Sequence, residues 1–157
     1  MGDDLAGTLT RYLRHRREAD EGRRPWTDMT AFFTDDAVFV DPLWGRLEGI
    51  EEIRRFLADS MTGIEDWRFP IDAAYISGDE VVLKYRQVLP ARRPDGRPFE
   101  QSGYSTLLYA GDGRFSYEED VLNMIHVFED IRASGWTPPP RMHAPPRHPN
   151  RDFSRPV

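Results

Sequence analysis

Three acidic positions are the strongest candidates for chemistry in this chain. Asp41 closes the apolar run Ala37-Val38-Phe39-Val40 and is followed at once by Pro42. A carboxylate at the end of a buried strand is pushed toward its neutral form, which makes it a better base near neutral pH. The bland alternative is a loop cap, because Asp-Pro turns commonly tie an Asp side chain to backbone N–H groups. The second cluster is Glu118-Glu119-Asp120. Strand alternation sets Glu118, Asp120 and Leu122 on one face and Tyr117, Glu119 and Val121 on the other. Runs of acids are usually solvated surface, but Phe115, Tyr117, Val121 and Leu122 flank this one. If Glu118 and Asp120 share a pocket with Asp41, the three cannot all ionise cheaply, and at least one is held protonated.

The elements that must position these groups follow from periodicity. Leu5, Leu9, Tyr12 and Leu13 recur at helical spacing, so residues 4–18 read as an amphipathic helix. Arg14, Arg16, Arg17, Arg23 and Arg24 read as its solvated end and the next loop. Thr27 is the expected N-cap of a second helix, with Asp28 in its first turn and Met29, Phe32 and Phe33 on its apolar face. Residues 37–40 are a strand. Residues 50–61 are a third helix with Ile50, Ile53, Phe56 and Leu57 on one stripe. From Trp67 the period changes to that of strands, at 67–76, 80–89, 98–110 and 114–121, with turns at Ser77-Gly78-Asp79, Pro94-Asp95-Gly96 and Gly111-Asp112-Gly113. A short helix is expected at 122–135, stopped by Gly135. Trp26 and Trp67 read as core.

Seven of the thirteen prolines follow Trp136. Residues 137–157 therefore read as an extended or disordered tail behind a domain spanning 1–136. That tail is basic, with Arg141, Arg147, Arg151 and Arg155 against Asp152 alone, while the whole chain of 157 residues carries a formal charge of −6. The acidic balance argues against a nucleic-acid binder. There is no long apolar window for a membrane span and no apolar signal core, so a cytoplasmic protein is expected. No cysteine is present, which removes disulfides and thiolate chemistry. His15, His126, His143 and His148 show no metal-ligand spacing. Phosphate-loop, nucleophile-elbow and dinucleotide signatures are missing too, so neither metal nor cofactor is expected.

Helices followed by antiparallel strands give an α+β order. The string Asp35-Asp36-Ala37…Asp41-Pro42…Gly45…Glu48-Gly49…Ile53…Phe56 resembles the start of the NTF2-like (cystatin-like) cone, the superfamily of SnoaL-like cyclases, ketosteroid isomerase and limonene-epoxide hydrolase. The resemblance covers about residues 5–130. It implies three N-terminal helices packed in a strongly curved, mostly antiparallel sheet that encloses one deep pocket. It puts Asp41 at the general-base position of the isomerases, and Asp120, with Glu118 beside it, at the strand aspartate of the hydrolases and cyclases. It puts Tyr12 at the first-helix phenol that serves an oxyanion, although Tyr12 also completes the apolar stripe of its helix. The implied pocket is lined by Trp44, Phe56, Tyr104, Leu122 and Arg86.

Two departures restrict the analogy. Ser105 stands where the isomerases keep a protonated acid, and a serine is a weaker donor. Val88 stands where the hydrolases pair an aspartate with the arginine matched by Arg86, and the inward pattern of Val81, Leu83, Tyr85 and Leu89 turns Arg86 outward toward an ion-paired sheet position. The function implied is a cofactor-independent acid–base enzyme of isomerase, cyclase, dehydratase or hydrolase type, acting on a small apolar carbonyl, polyketide-like or steroid-like compound. A non-catalytic module that binds small ligands or proteins is the alternative, motivated by the basic Pro-rich tail. A homodimer through the outer sheet face is expected by family analogy, with Phe115, Tyr117 and Val121 contributing.

Overall fold

The computed structural model describes residues 4–157. Helix α1 runs Leu5–Asp20, capped by Asp4, whose side chain accepts from the Gly7 N–H at 2.7 Å. A 3-10 helix covers Trp26–Phe32. It replaces the expected α-helix because only seven residues separate Pro25 from the strand that begins at Phe33, and such short pieces favour the tighter winding. Pro25, not Thr27, takes the N-cap position. Strand β1 is Phe33–Asp41, β2 is Gly45–Glu48 and α2 is Ile50–Met61. Strands β3 (Ile71–Ser77), β4 (Glu80–Arg92), β5 (Pro98–Gly111) and β6 (Arg114–Leu122) precede α3, Met124–Ser134. Asn123 caps α3 and Gly135 ends it in the left-handed region. The four-residue β2 has no counterpart in the sequence expectations, being too short for alternation to mark it.

The six strands form one mixed sheet in the order β2-β1-β6-β5-β4-β3. All neighbours are antiparallel except β1 and β6, which run parallel. This is the α+β, NTF2-like architecture, with α1, the 3-10 helix and α2 packed into the concave face and α3 closing one end. The core lies between them. Tyr12, Phe32, Phe39, Ile53, Phe56, Leu83, Leu107 and Phe115 are its main contributors. Each such side chain contributes about 1.5–3 kcal/mol on leaving water. No helix among the described residues is long and apolar enough to cross a membrane.

One irregularity decides which side chains face inward. Leu108 aligns with Tyr117, but Tyr109 aligns with Phe115, so β6 carries an extra residue at Ser116. This bulge reverses the parity of the strand. Phe115 therefore turns inward, fully buried against Tyr12 and Tyr109, on the same side as Glu118. The expectation that Phe115 serves an outer interface is corrected on that ground. Tyr117 does face outward, beside Val38 and Val40, and Val121 is exposed.

Residues 137–157 have no regular secondary structure, yet they pack along the body. The Arg46 N–H donates to the Asn150 carbonyl at 2.8 Å on the β2 edge. The Tyr117 hydroxyl donates to the Phe153 carbonyl at 2.7 Å, and Arg151 donates to the Pro42 carbonyl at 2.8 Å. Arg141 pairs with Glu65 and Arg155 with Glu80. Two glycines make room for this path. A Cβ on Gly45 would stand 2.4 Å from the Asn150 carbonyl oxygen, and one on Gly63 would stand 2.8 Å from the Met142 Cβ. Both glycines also have positive φ.

Candidate active site

The parallel pairing of β1 with β6 is what brings the acids together. Phe39 aligns with Glu118 and Val40 with Glu119, so Asp41 and Asp120 come next on adjacent strands. Aligned residues of a parallel pair share a face. Phe39 belongs to the inner core, so Glu118, Asp41 and Asp120 lie on the concave side. There they border a cavity of about 210 Å³ whose wall includes Phe39, Phe56, Trp44, Trp67, Tyr85 and Leu122.

Asp41 serves its loop and the cavity at once. Its Oδ1 accepts from the Leu43 and Trp44 N–H groups, both at 2.8 Å, while its side chain borders the cavity. Burial raises its pKa, and the two backbone donors pull in the opposite direction. The result is a carboxylate held in a fixed orientation inside an apolar wall.

Glu118 is 4 % exposed. The Tyr12 hydroxyl meets both of its oxygens, at 3.2 and 3.0 Å. Burial, and then the charge of Asp120, push the pKa of Glu118 well above the usual carboxylate range. Asp120 is pushed up to about 6, chiefly by burial, with Asp41 adding to the rise. Its hydrogen bond from Ser105, with the hydroxyl donating to Oδ1 at 2.5 Å, opposes that rise. Glu118 and Asp120 lie on the same face of β6 and each shifts the other's titration. Two carboxyl groups so placed hold one proton between them, with Glu118 the neutral member. Burial and the neighbouring Glu118 raise the Tyr12 phenol as well, so it stays protonated.

Arg16 is the cation of this site, and the sequence expectation placed it on a solvated helix end. It is 8 % exposed. Its Nη1 donates to the Phe69 carbonyl at 2.7 Å, and its guanidinium carbon lies 5.6 Å from the Trp26 ring and 5.3 Å from the Tyr85 ring. Its charge favours the ionised forms of both Glu118 and Asp120. The signal that could have found it is spacing, since Leu9, Tyr12 and Arg16 fall on one helical face. Gln87 was also missed and borders the same cavity.

Trp44, Phe56 and Leu122 line the cavity, whereas Tyr104 and Arg86 do not. Tyr104 aligns with Lys84 and Val121 on the outer face and is 44 % exposed. The inward positions of β5 next to it are Gly103 and Ser105. A Cβ on Gly103 would sit 2.5 Å from the Tyr85 ring, so glycine there lets Tyr85 lie across the strand. Arg86 points outward and pairs with Asp72 and Glu100, both at 3.0 Å. Both pocket expectations are corrected by strand parity. Three tail residues, Met142, His143 and Pro145, complete the cavity wall, and so does Phe128 of α3.

Comparison with known proteins fits this architecture. A protein from Jannaschia assigned as a SnoaL-like polyketide cyclase superposes with a TM-score of 0.65 at 20% identity, over 84% of this chain and 99% of its own. A protein of ketosteroid isomerase-like fold from Catenulispora acidiphila, in complex with trimethylamine, gives a TM-score of 0.63 at 23% identity, over 81% of this chain and 97% of its own. TerC, co-crystallised with polyporic acid, gives 0.63 at 18% identity, over 80% and 98%. At such identities the likeness shows the fold. No curated protein matches the sequence. The model of the SnoaL-like domain matches residues 11–118, and the chain belongs to that SnoaL-like family.

Proposed function

We propose that the chain is a cofactor-independent acid–base catalyst for a small apolar carbonyl compound of polyketide-like size. The observation that carries this reading is the convergence of Asp41, Glu118 and Asp120, with buried Arg16, on one apolar cavity. A cavity of about 210 Å³ compares with the engineered cavity of about 150 Å³ that holds benzene. One or two rings suit it better than a four-ring steroid.

In the proposed reaction the Asp41 carboxylate takes a proton from the carbon next to the carbonyl. The C–H electron pair moves into the new C=C bond, and the carbonyl π pair moves onto oxygen. The protonated Glu118–Asp120 pair supplies the hydrogen bond that meets the developing oxyanion, and Tyr12 holds Glu118 in place. Exchange is complete when Asp41 trades the proton with solvent and delivers a deuteron to the same carbon, and isomerisation when it delivers the proton to another carbon. The test is α-proton exchange of 2-tetralone in D₂O followed by NMR. Exchange by the wild type that is lost in Asp41→Asn supports the role of Asp41. Equal exchange by both proteins removes it.

A second reading, a binding module without turnover, is favoured by the use of Asp41 Oδ1 as a loop cap. It predicts saturable 2-tetralone binding with no exchange above buffer. A soluble homodimer remains the proposed assembly, tested by sedimentation at micromolar concentration.

A further inference from the structure

A chain of hydrogen-bonded side chains runs behind the cavity and ends at the half-buried Gln87. It begins at Asp130 of α3, which is 4 % exposed and ion-paired with Arg93 at 2.8 Å. An ionised carboxylate only accepts hydrogen bonds. Gln101 must therefore turn its NH₂ toward Asp130, and its Nε2 lies 2.7 Å from Oδ2. That leaves the Gln101 carbonyl oxygen facing Gln87 across the β4–β5 pair, where the two residues are in register. Gln87 in turn must present its own NH₂, and its Nε2 lies 3.1 Å from Gln101 Oε1. At each step the acceptor-only group removes the choice of amide orientation.

Gln101 is 1 % exposed and has no second arrangement open to it while Asp130 and Arg93 are paired. His126 also reaches Asp130, with its Nε2 at 3.3 Å from Oδ2. Gln87 is the one member of the chain that borders the cavity. Its carbonyl oxygen is turned away from Gln101 and takes no hydrogen bond from the described residues. The cavity it borders is walled largely by apolar side chains such as Phe39, Phe56 and Leu122, and among them such an oxygen is a specific acceptor. An acceptor facing an apolar pocket selects for a donor and leaves an unpaired polar group against a ligand that lacks one.

We infer that Gln87, oriented by Asp130 through Gln101, is a specificity-determining residue that binds a hydroxyl group of the ligand. Gln87 lies two strands from Asp120, and Gln101 precedes Ser105, the partner of Asp120, by four residues along β5. The hydroxyl is thus at the end of the ligand remote from the carboxyl cluster. The class implied is a hydroxylated ring compound whose reactive carbonyl lies at its opposite end. The inference rests on the cavity being the ligand site, as proposed above, and names the chemistry of its far wall.

The test compares 6-hydroxy-2-tetralone with 6-methoxy-2-tetralone as binding probes. The methoxy compound carries a methyl group in place of the hydroxyl hydrogen, so its remote oxygen cannot donate. Dissociation constants are measured by calorimetry on the full chain, separately from any exchange rate. The wild type is expected to hold the hydroxyl compound about fivefold to tenfold more tightly. In Gln87→Met the ratio falls to within about twofold while the methoxy compound binds as before. In Gln101→Met, which frees the Gln87 amide to turn, the ratio falls in the same direction with Gln87 still present. A fall in affinity for both probes alike would mean a structural role and overturn the inference. So would a ratio that survives Gln87→Met and disappears in Asp120→Asn, or a failure of both tetralones to bind the wild type. Loss of exchange activity with the hydroxyl preference intact would remove the catalytic proposal and leave this one standing.

Discussion

Two clusters of arginine and carboxylate occupy opposite faces of the same sheet and behave in opposite ways. On the convex face Arg86 sits between Asp72 and Glu100, all partly open to water, and its charge is stabilised by both partners. On the concave face Arg16 and Glu118 are buried with the half-buried Asp120 beside them, and loss of water pushes the acids toward their neutral forms. The residue types are the same. What differs is solvent, since water screens the outer cluster and leaves its net worth near 0–1 kcal/mol. The inner cluster cannot shed its electrostatic cost except by holding a proton. Chemical potential in this fold therefore comes from strand parity rather than from acidic composition.

The comparison breaks most visibly at Asp41. Asp41→Asn is expected to lower 2-tetralone exchange by about 10²–10⁴-fold, as read by NMR. An effect below about threefold would place Asp41 with the structural acids.

The next effect is on stability. Asp120 holds its proton more tightly in the folded chain, at about 6 against an ordinary value of 3.8. Between about pH 4 and pH 6 the folded state binds more protons than the unfolded state, so stability falls as pH rises. The loss is on the order of 2–3 kcal/mol. Thermal melts across that range should show the wild type losing Tm relative to Asp120→Asn, whose curve lacks this component. A wild-type Tm that rises with pH against the variant would contradict the burial of Asp120 as a strained acid.

Arg16→Met sharpens the contrast further. Removing the buried cation takes away a charge that favours ionised Asp120. The pH midpoint of exchange should then move upward, and a downward or absent shift would show that Arg16 does not act on the carboxyl pair. The smallest effect belongs to the outer face. Arg86→Met should leave exchange within about twofold of wild type and change stability by at most about 1 kcal/mol, measured by urea unfolding.

Much of this arrangement was legible in the residues. The family pattern around Asp41-Pro42 carried the fold, and alternation along β6 put Glu118, Asp120 and Leu122 on one face. Legibility failed where a local rule met a long-range one. Arg16 looks solvated within an Arg-rich run, and only its register with Leu9 and Tyr12 marks it as buried. The pocket expectation at Tyr104 came with the family resemblance. The inward position beside it needs Gly103, and the reason is a ring on another strand. Phe115 was placed outside because a bulge at Ser116 leaves no mark in the sequence pattern. Gln87 and Gln101 gain their meaning from Asp130, which lies 29 residues beyond Gln101 in a different element.

The tail leaves the cavity with two kinds of wall. The sheet side is fixed by ladder hydrogen bonds, and substitutions there disturb register. The side built from Met142, His143 and Pro145 belongs to a segment with no ladder to disturb. Changes of side-chain volume at Met142 or Pro145 re-cut the outline of the cavity while leaving the carboxyl cluster on β1 and β6 where it is. Evolution, or a protein engineer seeking a new substrate range, has in this segment a place to alter selectivity apart from chemistry.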